Sequence, residues 1–523
     1  MLLVAIATAA TAAVASRLVH RMKPTELLRD DQDRPVTRAP TGDSSSRWED
    51  GVVDETQPTP DPPERGLPDR ARVVIIGGGV IGCSVAYHLA KRGWTDVVLL
   101  ERDQLTSGTT WHAAGLIVSG GMTTETLAWM TKYSTELYAR LEEETGHSTG
   151  FTPVGYVQTA SNAERMGKLR READFLRLMG IEREEIGQRE VADLWPLIDA
   201  SDVIGGFYTA SEGRADPYNV ALSLAAGARA LGVRIVQRVP VTGITRRGGR
   251  VAGVVTPEGE IEAEYVVNCA GMWARQVGAL AGVSVPLQAV EHAYLITEPL
   301  EGVSPDLPIF EDPDRFAYYR EETGGLMVGL FEPVAAPWSV EAIPADFSFG
   351  EIPSDWDRLT PFLEYAMEIL PRVADAGVRK LFTGPESFTP DNGFLMGQAP
   401  ELDNFFVAAG FNSLGILTGG GAGSIMASWI ADGLPPVDVT TSTSPDCSRG
   451  RPVGRTSQSA ASSCSGGCTR PDHGRTRILD ARAACAGRRC MTVFSGPALG
   501  SRSRPAGRMP PTSPRPTPRS TRD

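Results

Sequence analysis

Arg72-Val73-Val74-Ile75-Ile76-Gly77-Gly78-Gly79-Val80-Ile81-Gly82 is the stretch on which the fold of this chain turns. Its β-branched run ends abruptly in three glycines, as expected for a buried parallel strand. Val80 to Arg92 then carries a helical apolar period, and Val97 to Leu100 reads as a second buried strand, which completes a βαβ unit. Gly77, Gly79 and Gly82 fit G-x-G-x-x-G, and Glu101 stands 19 residues beyond Gly82 at the end of the second strand. In that context the glycines permit a sharp turn and close backbone approach, and the helix N-terminus faces a pyrophosphate. Glu101 is placed to accept hydrogen bonds from ribose hydroxyls. The competing reading at this point is a glycine-rich turn of another α/β fold.

The chain has 523 residues, 41% of them hydrophobic, enough for two domains and tails. Its formal charge of -13 argues against nucleic acid as a main partner. The charge is unevenly spread: residues 441–523 hold 15 Arg against 4 Asp, which leaves the remainder near -24. Five of the 7 cysteines lie in that same stretch, so the body, with Cys83 and Cys269, reads as a reduced protein without a disulfide framework. Residues 441–523 lack Lys, Glu, Tyr and Trp and show no helical or strand period. They read as a frameshifted or otherwise non-native stretch, or as a disordered tail. Cys464, Cys468 and His473 are too poorly spaced for a metal site, and no metal is expected. At the other end, the apolar run Met1 to Ser16 is short for a membrane span and has no basic residue ahead of it. Residues 1–70 are therefore expected to be an apolar leader and disordered linker, with membrane attachment disfavoured and a cytoplasmic location expected.

Helices are expected at about 122–145 and 161–180, and from Asp216-Pro217 to about Leu231, with Pro at a first-turn position. Strands are expected at 233–238, 251–255, 261–267 and repeatedly between 285 and 330. A polar helix is expected near 355–373. Phe405 to Ala409 reads as a strand leading through a glycine-rich loop, Gly419 to Gly423, into a helix ending near Ala431.

After the second strand comes Leu105-Thr106-Ser107-Gly108-Thr109-Thr110-Trp111-His112-Ala113-Ala114-Gly115-Leu116, whose small and hydroxylated residues suit a loop lying against a flat cofactor. A lone histidine here is more often structural. The segment Thr109 to Leu116 nevertheless resembles the flavin-attachment loop of sarcosine and dimethylglycine dehydrogenases, within the D-amino-acid-oxidase-like flavoproteins. Further stretches, in the family's order, carry the resemblance over about residues 71–439: Tyr265 to Ala274, Gly384 to Asp391, and Gly410 to Gly415.

The resemblance implies an α/β fold, a Rossmann-like FAD-binding domain with an interleaved antiparallel-sheet substrate domain. The FAD-binding parts are expected at about 71–160, 205–280 and 380–439, and the substrate parts at about 161–204 and 281–379. It also implies that FAD lies against Gly77, Gly79, Val80, Ile81, Gly82, Glu101 and Arg102, and against Gly108, Thr109, Thr110, His112, Ala113, Gly115 and Leu116. Val239, Ala270, Gly271, Trp273, Ser413, Leu414, Gly415 and Ile416 complete that expected site, with His112 bonded covalently to the flavin.

The family places a histidine and a tyrosine beside the reactive face of the flavin, at positions matching His292 and Tyr318. A neutral imidazole or phenol there helps keep a bound amine unprotonated. Read without the resemblance, both are a core His and Tyr with satisfied polar tips. Arg320 suits a substrate carboxylate or, equally, a surface ion pair.

The activity implied is oxidative demethylation of sarcosine or a related small N-methyl amino acid, with a carrier flavoprotein or oxygen taking the electrons. His292-Ala293-Tyr294-Leu295-Ile296-Thr297-Glu298 looks closer to the sarcosine enzymes. Dimethylglycine oxidation, another flavin amine oxidase and a non-catalytic regulatory relative are the alternatives. The long dehydrogenases of the family continue into a folate-binding aminomethyltransferase-like half, which this sequence does not show.

Overall fold

The computed structural model describes residues 66–338, 343–344 and 346–439. The expectations for the leader, for most of the linker and for the tail lie outside those residues.

The opening motif folds as read. Strand β1 (Arg70–Ile76) runs into helix α1 (Val80–Lys91) and then strand β2 (Val97–Leu100), with β1 parallel to β2. Residues Val80 to Ala90 of α1 are all buried, because the helix is covered on one side by the sheet and on the other by neighbouring helices. The strands of this first, 8-stranded sheet run in the order Leu395–Gln398, Phe405–Ala409, Gly259–Asn268, β1, β2, Arg234–Val236. Its central pairs are parallel, and Arg250–Thr256 joins as the antiparallel arm of a hairpin with Gly259–Asn268.

Helix Pro217–Ala230 packs on α1 and begins with Pro217 in its first turn, the Asp216 carboxylate accepting from Asn219 N at 3.2 Å. Helix Glu125–Thr145 is capped by Thr124 and ended by Gly146 at φ 69°. Helix Gly415–Asp432 lies across both α1 and Glu125–Thr145.

Here the structure corrects the sequence reading: Gly419 to Gly423 form no loop and sit inside that last helix. The helix interior normally disfavours glycine. The reason for it here is proximity, since a Cβ on Gly421 would stand 2.5 Å from Met130 Cα and one on Gly423 2.1 Å from Ser84 Oγ. The helix Asn412–Asp432 is long and apolar enough to cross a membrane, but it is largely buried in this core.

The second sheet has 9 strands, mostly antiparallel, and is built on Gln288–Thr297, which pairs with Val378–Phe388 on one side and Gly325–Leu330 on the other. Tyr156–Ala160 and Gly205–Thr209 belong to this sheet, as does nearly all of Val378–Phe388. The boundaries expected near 160, 205 and 380 are displaced accordingly, because strands at a domain crossover pair with whichever sheet lies in register.

Period-2 alternation gives this sheet two unlike faces. Ala293, Leu295, Phe310, Ala317, Tyr319 and Val328 form an apolar core with Leu359, Leu363 and Ile369 of helix Trp356–Ile369. That helix, expected to be polar, is amphipathic, with its apolar stripe turned to the sheet. The opposite face carries Gln158, Glu311, Tyr318 and Tyr294 in one row across five strands: Gln158 is in register with Glu311, Glu311 with Tyr318, and both tyrosines with Gly329 between them.

Candidate active site

Two cavities meet in the middle of the molecule. The first, about 740 Å³, follows the carboxyl ends of the parallel strands, where ligands of doubly wound sheets bind. The turn after β1 is closed by proximity. Gly77 has φ 109°, and a Cβ on it would lie 2.5 Å from the Cys269 carbonyl oxygen; a Cβ on Gly82 would lie 1.9 Å from the Gly77 carbonyl oxygen. Glu101 ends β2 with its carboxylate accepting from Gly78 N at 2.7 Å and Asp103 N at 2.9 Å. Burial pushes its pKa up while these two N–H groups oppose the shift.

Thr110 Oγ1 accepts from Val80 N at 3.1 Å and so ties the next loop to the first turn of α1. A Cβ on Gly108 would lie 3.1 Å from the Trp273 ring, which carries the Arg102 guanidinium at 4.4 Å. Gly77, Gly79, Val80, Ile81, Glu101, Arg102, Gly108, Thr109, Thr110, Val239, Ala270, Gly271, Trp273 and Gly415 all line this cavity. Gly82 does not line it and acts through its contact with Gly77.

The second cavity, about 530 Å³, lies over the polar face of the antiparallel sheet. His112, Gly115, Leu116 and Leu414, expected against the cofactor, stand on this wall together with His292 and Tyr318. Ala113, Glu386, Ser413 and Ile416 line both cavities and mark where they join.

His112 is held beside that junction. A Cβ on Gly384 would come within 2.5 Å of the His112 ring, so the absent side chain makes room for the imidazole. Gly384 is in register with His292 on the adjacent strand, which brings the two histidines to one patch of sheet. Phe382 packs against His112 at 5.3 Å and Trp111 stands edge-on to it at 5.8 Å. The Nε2 atom of His112 is buried with no hydrogen-bond partner among the described residues. Burial lowers the pKa of the ring to about 4, so it is neutral near pH 7. An orphaned, neutral ring nitrogen is costly unless something not made of protein meets it.

Tyr318 is 2% exposed, its pKa is raised above the ordinary phenol value by burial, and no described residue hydrogen-bonds its hydroxyl. Its ring fills the space that a side chain on Gly329 would occupy. His292 packs on Phe331 at 5.7 Å.

Several wall residues carry no local sequence signal. Glu311 accepts from Tyr156 Oη at 2.5 Å and Gln158 Nε2 at 3.3 Å. Arg183 donates to Glu172 at 2.8 Å and to Gln158 at 3.0 Å, both buried. Glu386 accepts from Ser413 Oγ at 2.6 Å. They converge only in the folded sheet, from strands and helices far apart in the chain.

Arg320 is corrected in role. It lines neither cavity: Nε donates to Ala114 O at 2.7 Å, Nη1 to Glu321 O at 2.9 Å, and Nη2 pairs with Glu322 at 2.7 Å. At 8% exposure, with its donors taken by two backbone carbonyls and by Glu322, it is an ion-paired residue that pins the loop carrying His112 and not a carboxylate clamp.

The FAD dependent oxidoreductase family (DAO) matches residues 72–429. The chain is 41% identical to mitochondrial sarcosine dehydrogenase of Homo sapiens over 382 residues, covering 72% of this chain and 41% of that protein. It is 39% identical to the formaldehyde-forming 4-methylaminobutanoate oxidase of Paenarthrobacter nicotinovorans over 372 residues, 71% of this chain and 45% of that protein. The chain thus spans less than half the length of these curated relatives. Among solved structures, L-proline dehydrogenase from P. horikoshii superposes with a TM-score of 0.63 at 26% identity, covering 71% of this chain and 96% of the other. With the βαβ unit, the two-sheet architecture and this match over most of the described residues, the chain belongs to the FAD-dependent oxidoreductase family.

Proposed function

We propose that the protein oxidatively demethylates a small secondary N-methyl amino acid, with sarcosine as the first substrate to try. The observation that carries this reading is the junction itself: one wall is shared between a dinucleotide-shaped cleft and a chamber bearing His292 and Tyr318. The names of the relatives supply the substrate class.

FAD fits the first cavity by the glycine cradle at Gly77 and Gly82 and by Glu101 at the end of β2, and the orphaned Nε2 of His112 stands in the adjoining chamber beside the junction. When bound, it supplies the acceptor for the hydride that leaves the N-methyl carbon. His112 is the attachment residue in this account, because its ring is neutral and its Nε2 has no hydrogen-bond partner among the described residues. Thr110 and the first turn of α1 fix the loop on which it rides.

The other residues act on the amine. Loss of hydride requires a nitrogen lone pair, so the amine must be held unprotonated. Tyr318 retains its proton because burial raises its pKa, and it donates a hydrogen bond without competing for a proton. His292 stands across the adjoining strands from it and orients the methyl group. The methyl carbon loses its hydride as the nitrogen lone pair moves into the C–N bond, leaving an iminium that water cleaves to formaldehyde and the demethylated amino acid.

The test uses the purified full chain with a dye acceptor and with oxygen as alternatives. Sarcosine is expected to yield formaldehyde and glycine, and acid-precipitated protein to remain yellow unless His112→Ala is introduced. A protein that holds flavin but consumes none of sarcosine, dimethylglycine and 4-methylaminobutanoate would overturn the activity. Flavin freed by acid from the unaltered protein would overturn the covalent link alone.

A further inference from the structure

We infer that Glu386 reads the N–H of the substrate amine and makes this site prefer secondary N-methyl amines over tertiary ones. The inference rests on the amine-demethylating reading above and sharpens it.

Glu386 is the one carboxylate among the described residues that lines both cavities, so it stands where an amine must sit to reach a cofactor next door. It lies two residues along the strand from Gly384, on the same face as the His112 cradle. Ser413 Oγ donates to one of its oxygens at 2.6 Å and fixes the side-chain rotation. The other oxygen, Oε1, has no protein donor among the described residues, and no Lys, Arg or His forms an ion pair with the group.

The other acids of the chamber wall are differently placed: Glu311 is held by buried Tyr156 and Gln158, Glu172 by buried Arg183, and Asp391 is exposed to solvent. At 7% exposure Glu386 is largely shut off from bulk solvent, and Oε1 is open to the cavities, where a donor on a bound molecule can reach it.

The donor that fits is the N–H of an amine. A secondary amine such as sarcosine retains one N–H when its nitrogen is neutral and two when it is protonated. A neutral tertiary amine such as dimethylglycine has none, so it would leave Oε1 unpaired at the moment its lone pair is available. Sites built to hydrogen-bond a substrate N–H discriminate strongly against the analogue lacking it. Tyr318 and His292 bind either amine, so Glu386 is the residue whose contact differs between the two.

The experiment follows anaerobic flavin bleaching by sarcosine and by dimethylglycine in the holoenzyme and in Glu386→Ala and Glu386→Gln, each checked for flavin content and melting temperature. The unaltered protein is expected to favour sarcosine in bleaching rate over apparent Kd. In Glu386→Ala that preference should shrink by roughly 10- to 100-fold. Glu386→Gln, which keeps an acceptor oxygen, should recover part of it. If Glu386→Ala folds poorly, Glu386→Gln and Ser413→Ala, which frees the rotation of Glu386, carry the test by the same ratio. A preference unchanged in every folded variant, or absent in the unaltered protein, overturns the role of Glu386 while the demethylase reading stands. Bleaching by neither amine, nor by 4-methylaminobutanoate, overturns both.

Discussion

The two cavities differ in how they are made. The cofactor cleft is lined largely by backbone, glycines and short side chains taken from a few contiguous stretches, chiefly 76–81, 100–110, 269–273 and 408–416. The substrate chamber is a mosaic of functional groups: Gln158, His292, Glu311, Tyr318 and Glu386 are brought together by strand register, and Glu172 comes from helix Ala163–Leu178. The cleft therefore tolerates almost no added atoms, whereas the chamber is sensitive to which polar atoms are present.

The largest effect expected from that contrast is at Gly82. Substituting even alanine places a Cβ 1.9 Å from the Gly77 carbonyl oxygen, a backbone clash that no rotamer relieves. Gly82→Ala is expected to lose bound flavin altogether and to cost several kcal/mol, about 3 kcal/mol or more. Flavin absorbance per protein and urea unfolding measure both. A yellow, stable Gly82→Ala would break the distinction between the two cavities.

The same contrast decides what could be read from sequence. A motif whose parts touch one another along the chain leaves a local signature, and Gly77, Gly79, Gly82, Glu101 and the loop through His112 were all legible for that reason. The roles of Glu386, Glu311 and Glu172 were not, since each depends on partners 11 to 155 residues away whose identity only the fold supplies. Arg320 misled because it shares a strand face with Tyr318 and so looks like a ligand clamp, while its donors are taken by the Ala114 and Glu321 carbonyls and by Glu322. The glycines 419–423 misled for the opposite reason: their composition suits a loop, and helix-on-helix proximity overrides it.

On the chamber side, Tyr318→Phe removes one hydroxyl and leaves the ring that fills the space over Gly329. It should keep its full flavin content and lose about 10-fold in amine-dependent reduction. Loss of flavin instead would show that the chamber and the cleft are not separable in this way.

A smaller effect is expected behind the chamber, at Glu212, which is 3% exposed and has Oε2 unpaired. Burial raises its pKa from 4.5 to about 7, with Arg183 opposing the shift. The folded state thus holds a proton that the unfolded chain has released. Its contribution to stability is fully present below the unfolded value and is lost as pH rises through about 7. Glu212→Gln removes this dependence, so the melting temperature of the variant should gain on the unaltered protein between pH 5 and pH 8, on the order of a few degrees. A constant difference across that range would show that Glu212 does not titrate there.

The central claim is that an amine in the chamber reduces the cofactor in the cleft across the shared wall of Ala113, Glu386, Ser413 and Ile416. Anaerobic mixing of the flavin-loaded full chain with sarcosine tests it most directly, read as flavin absorbance over time. The account predicts bleaching that saturates with sarcosine and is absent with glycine, which has no methyl group to give up. A fully loaded protein that stays yellow with sarcosine, dimethylglycine and 4-methylaminobutanoate alike would contradict it.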